Sequence, residues 1–233
     1  MIDFKKEVEK RRDDIIRDTQ NLLRINSELT EFNSDSKMPF GKGINDALNY
    51  MLEMGKKDGF SVLNADGYAG HIEYGSQFEY VGMMGHLDVV PAGSGWDYPP
   101  YEAVIVDGKI IARGAMDDKG PTIAAYYAMK ILKELNLPLS KRIKLILGTD
   151  EETGWRGVRY YFNLFPEQPV YGFIPDSAFP LTYAEKGIMR LTIKNECKDK
   201  NLVSFKAGLV DNMVPDNCVA IIKDLTKKEA FLK

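Results

Sequence analysis

The chain has 233 residues, 44% of them hydrophobic, and a net charge of −3 from 31 basic and 34 acidic side chains. That length can bury a full core, as one large domain or one and a fraction. The scattered lysines and arginines exclude the basic footprint of a nucleic-acid binder.

The charged start MIDFKKEVEKRRDD has no signal-peptide core, and no apolar run nears the roughly 20 residues that span a bilayer. No membrane partner is expected. Cys197 and Cys218 form no CxxC-type pattern, so a reducing cytoplasm is the expected location.

Asp3 to about Leu23 is predicted as one helix on the stripe Phe4, Val8, Ile15, Ile16, Leu22 and Leu23. A Ser-, Asn-, Pro- and Gly-rich loop over 26–43 follows. Ile44, Ala47, Leu48, Met51 and Leu52 then define a second helix with Gly59 as its stop. Residues 61–75 read as two short strands turning at Asp66-Gly67. EYVGMMG over 79–85 suits a buried strand that delivers His86 and Asp88 at its carboxyl end. AVIV and IIA around Asp107-Gly108 are a hairpin signal, and Lys119 to about Leu135 is helical.

RIKLILG over 142–148 is another buried strand and ends at the triplet Asp150-Glu151-Glu152. A helix from about Arg156 to Phe165 leads to a short strand over 170–174, with Asp176 just past it. Alternating strands and helices imply an α/β fold, mainly a parallel sheet with helices on both faces. Its ligand groups gather beyond the carboxyl ends of strands. After about Glu185 the pattern changes. Met189, Leu191 and Ile193 alternate with Arg190, Thr192 and Lys194, as in a strand with one wet face. Residues 203–222 are again strand-like around Asn-Met-Val-Pro, and a helix is expected from Asp224. Residues 1–186 are therefore expected to form one domain and 187–233 the beginning of a second, cut short.

Four groups carry chemistry: His86 with Asp88, Asp117-Asp118, Asp150-Glu151-Glu152, and Asp176. Each alone has an ordinary explanation, as a local ion pair, a helix cap, solvated acids or a turn residue. Together at strand ends they favour a metal centre. A carboxylate beside His86 can accept its spare N–H and fix the tautomer, and a divalent cation relieves the repulsion among adjacent acids.

HLDVVPAG, ARGAMDDKGP, GTDEETG and FIPD, in that order, resemble the co-catalytic zinc peptidases grouped with carboxypeptidase G, aminoacylase and acetylornithine deacetylase. PFGKGINDALNYMLEMGKKDGF, NADGYAGHIEYG and AFPLTYAEKG look like the bacterial Xaa-His (PepV-type) dipeptidase branch. The resemblance implies a zinc-peptidase catalytic domain followed by an α+β lid. It implies zinc ligands at His86, Asp117, Glu152 and Asp176, with Asp117 bridging. Asp88 would orient His86, and Glu151 would be the general base toward a metal-activated water. Asn212 would contact substrate, a small peptide.

The family's second zinc takes a further histidine, and another serves the oxyanion. This chain has only His71 and His86, and His71 is read as structural. One site is then complete in protein ligands and the other lacks one. The leading expectation is a zinc-dependent dipeptidase. Alternatives are a deacylase of N-acyl amino acids and a non-catalytic metal-binding or interaction protein derived from such an enzyme. Oligomeric state is open.

Overall fold

A strand buried on both faces reads as a continuous apolar run, and RIKLILG becomes the centre of the main sheet in a computed structural model of the chain. The structure describes residues 2–178, 180–198, 200–209, 213–215 and 217–224. It divides into two units, residues 1–92 with 96–178, and residues 93–95 with 179–233.

In the first unit, β1 (Ser61–Ala65), β2 (Ala69–Tyr74), β3 (Tyr80–His86), β6 (Arg142–Gly148) and β7 (Tyr171–Phe173) form one sheet in the order β1-β2-β6-β3-β7. β6 runs parallel to β3, and β3 parallel to β7. β1 and β2 form an antiparallel hairpin that continues antiparallel onto β6. Its turn is the expected Asp66-Gly67, both at positive φ, closed by Tyr68 N–H to the Ala65 carbonyl at 2.9 Å. A separate hairpin, β4 (Val104–Val106) with β5 (Lys109–Ile111), turns at Asp107-Gly108.

Side chains alternate across a strand, and this divides the core in two. Ile72, Leu145 and Met83 lie side by side in register and pack with Leu147 on α3 (Lys42–Lys57), α4 (Lys119–Glu134) and Leu22. Ile146 faces the other way, with Ala65 and Ala69, toward Tyr161 of α5 (Arg156–Leu164). Helices thus cover both faces of an α/β sheet, as the strand–helix alternation predicts. Among the described residues no helix is long and apolar enough to cross a membrane.

Two local expectations are corrected. The first helix is two, α1 (Phe4–Glu9) and α2 (Arg12–Leu23). The Arg11 N–H turns to the Val8 carbonyl at 3.0 Å, while its guanidinium takes the Glu7 carbonyl at 2.7 Å and the Glu7 carboxylate at 3.0 Å. The carbonyl four residues back is thereby diverted from the helix ladder. The second correction is at Met189, Leu191 and Ile193, which form no strand and are exposed. Strand backbone needs a neighbour for its N–H and C=O groups, and none pairs with these residues among those described.

In the second unit β8 (Leu202–Ala207) and β9 (Cys218–Ile222) pair antiparallel, two strands from the stretch expected to be strand-like over 203–222. Asn212 and the helix expected beyond Asp224 lie outside the described residues.

Candidate metal centre

The parallel strands β6, β3 and β7 point their carboxyl ends the same way, where ligands gather in such sheets. His86 is the last residue of β3, Glu151 and Glu152 follow β6, and Asp176 follows β7. Asp117 lies just before α4, whose cap is Asp118. The structure brings His86, Asp117, Glu151, Glu152 and Asp176 together in two overlapping donor sets. One is His86, Glu151 and Asp176, and the other is His86, Asp117 and Glu152; within each, the ligand atoms lie within 4.8 Å of one another. Distance alone does not separate Glu151 from Glu152.

His86 Nδ1 lies 2.9 Å from the Asp88 carbonyl oxygen, which can only accept, so Nδ1 carries a proton. That aims Nε2 into the cluster, 2.9 Å from Asp117 Oδ1 and 3.5 Å from Asp176 Oδ2. The Asp88 carboxylate, buried at 1% exposure, stands 3.5 Å from Nδ1 and has a second task. Its two oxygens accept the N–H groups of Glu151 and Glu152, each at 3.1 Å. One residue therefore braces the imidazole and both glutamates.

Charge follows this crowding. Burial opposes protonation of His86, but its bonds to Asp117, Asp176 and Asp88 outweigh that and hold its pKa up. The His86 bond in turn lowers Asp117. Burial raises Glu151 and, joined by the Asp117 charge, pushes Glu152 up to about 7. Among the described residues no lysine or arginine pairs with Asp117, Glu151 or Asp176. An imidazole with several carboxylates that no lysine or arginine pairs is a donor set for a divalent transition metal, and the residues present fit one.

Asp150 is a different matter. Two oxygens of its buried carboxylate face Arg156 Nε at 2.7 Å and Nη2 at 2.8 Å, and the Arg156 N–H donates at 2.9 Å. The first acid of the triplet is neutralised by an arginine and accepts the first N–H of α5, whereas the expected compensation for all three is a metal cation. Six residues separate the pair with no periodic signal, so the sequence did not reveal it. Asp118 stands at the helix-cap position. Its side chain makes no capping bond but accepts from His86 N–H at 3.2 Å and Thr122 Oγ1 at 3.1 Å. His71 lies within the sheet, its Nδ1 2.8 Å from the Tyr161 hydroxyl, with Tyr161 and Phe165 edge-on to its ring.

A mixed α/β sheet with a histidine and carboxylates past its parallel strand ends is the arrangement of a metal-dependent hydrolase. The profile of peptidase family M20/M25/M40 matches residues 82–218, and the chain belongs to that metal-dependent peptidase family.

The chain is 49% identical over 229 residues to a Bacillus subtilis (strain 168) protein named "Putative dipeptidase YtjP", covering 96% of this chain and 49% of that one. A like-named "Putative dipeptidase" of Staphylococcus aureus (strain USA300) is 44% identical over 224 residues, covering 93% and 48%. The chain spans about half the length of the curated relatives it matches. The fold is also that of human carnosine dipeptidase 1, with a TM-score of 0.65 at 24% identity over 75% of this chain and 40% of that one. The Saccharomyces cerevisiae di-peptidase Dug1p gives 0.57 at 17% identity, over 68% and 36%.

Proposed function

We propose that the protein hydrolyses unblocked dipeptides with zinc as its metal. The observation that carries this is the convergence of His86, Asp117, Glu151, Glu152 and Asp176 past the carboxyl ends of the parallel strands; the dipeptidase names of its relatives supply the substrate class. In this reading His86 and Asp176 hold one ion, Glu152 holds the other, and Asp117 is shared. Two ions held there would supply a water acidified toward neutrality and a polarised peptide carbonyl.

The chain's own residues do the rest. Asp88 keeps His86 Nε2 turned toward the donors through its carbonyl and aligns both glutamates through its carboxylate. Glu151 takes the proton of the attacking water and returns it to the leaving amine. Neither histidine of this chain supplies the second imidazole of the family pattern. Residues 187–233 are proposed as lid, with Asn212 meeting substrate, and a reducing cytoplasm suits Cys197 and Cys218, both free and exposed.

The test uses the full-length protein. Chelation should abolish dipeptide hydrolysis and zinc should restore it, with a free dipeptide cleaved faster than an N-acetyl amino acid. A rate indifferent to chelator removes the metal from the proposal, and the reverse preference makes the protein a deacylase.

A further inference from the structure

His86 is the only imidazole in either donor set, so whatever fixes its backbone fixes the centre. On one edge, β3 pairs with β6 as far as His86 opposite Gly148, and the Leu87 N–H donates to the Gly148 carbonyl at 2.9 Å. On the other edge β7 pairs only with Val81 to Met83. Past Met83 that edge of β3 has no strand beside it among the described residues, and a buried N–H there needs another acceptor.

Asp118 occupies the place of the missing strand. Its Oδ2 accepts the His86 N–H and, from one turn along α4, the Thr122 hydroxyl. Gly85 makes the approach possible: a Cβ there would stand 2.1 Å from Thr122 Oγ1 and 2.7 Å from Asp118 Oδ2. The next residue, Lys119, is buried and donates from Nζ to the carbonyls of Leu22 at 3.2 Å and Ile25 at 2.8 Å. The turn that carries Asp117 and Asp118 is thus tied to the end of α2. The other Asp118 oxygen, Oδ1, is buried with no hydrogen-bond partner among the described residues.

We propose that Asp118 is a positioning residue. It holds the backbone of His86 where β7 ends and so sets the imidazole against Asp117 and Asp176. This rests on the reading that the cluster holds zinc. The test compares D118L, D118N and T122V in the full-length protein by zinc competition with a chromogenic chelator. The visible spectrum of the cobalt-loaded form and the melting of the metal-free form are read alongside.

Lost support behind a metal-binding histidine is expected to weaken zinc about tenfold to a hundredfold in D118L and to change its cobalt spectrum. D118N keeps an acceptor for both donors and should return to within about threefold of the parent, with T122V between the two. D118L that melts lower yet binds zinc with parental affinity and spectrum overturns the assignment, as does D118N as weak as D118L. Should D118L not fold, parental affinity in T122V overturns the assignment, while weakened T122V beside near-parental D118N supports it. A parent that binds neither zinc nor cobalt overturns the metal reading and this assignment together. A binding parent with indifferent variants overturns this assignment alone.

Discussion

Glu151 and Glu152 are chemically equal neighbours, held by two oxygens of the same aspartate at the same 3.1 Å. If Glu151 carries protons and Glu152 carries metal, their substitutions must fail differently. Glu151→Gln removes the base and leaves the ligands, so kcat should fall by about 10²–10⁴ with zinc content unchanged, measured by steady-state kinetics beside elemental analysis. Glu152→Gln should lower the zinc content itself. Equal zinc loss in both would return Glu151 to the ligand set, which the 4.8 Å grouping of His86, Glu151 and Asp176 would accommodate. Asp150, next in line, belongs to neither role because Arg156 already neutralises it.

That ion pair is the hinge of the β6–α5 element, since Asp150 also accepts the Gly154 and Trp155 N–H groups at its carbonyl. Arg156→Met leaves a buried carboxylate without its cation and should cost about 1–3 kcal/mol in urea unfolding. Arg156→Met combined with Asp150→Asn should recover part of that loss, because a neutral side chain is less costly to strand.

On β2, where its ring meets Tyr161 of α5, burial and then the Lys144 charge push His71 down to about 4 from an ordinary 6.5. The folded chain therefore keeps His71 neutral where the unfolded chain would take up a proton. Its contribution to stability is present above pH 6.5 and is lost as pH falls toward 4. His71→Phe should flatten that limb of a plot of melting temperature against pH. An unchanged slope would show that His71 titrates alike in both states.

At the scale of the molecule, a one-ion result is the informative one. If His86, Asp117 and Asp176 hold one ion as proposed, with a single imidazole available this 233-residue chain by itself should hold one zinc firmly and a second weakly or not at all, read by calorimetric titration. Two tightly held ions would require ligands not assigned above. The sequence by itself determined the α/β class, the buried runs of β3 and β6, both glycine-turned hairpins and the order of the site's motifs. Each depends on local chemistry: period-two or period-3.6 apolar spacing, or a residue able to adopt positive φ.

Tertiary structure alone decided the antiparallel β1–β2 addition to the sheet, the break at Arg11 and, among the described residues, the missing partner for 189–193. It also decided the separate fates of Asp117 and Asp118, and of Asp150 and its two neighbours. Adjacent carboxylates look alike along a chain. What distinguishes them is the group each meets after folding, an imidazole for Asp117, a backbone N–H for Asp118 and a guanidinium for Asp150. Those meetings span 31, 32 and 6 residues, and no local pattern encodes them.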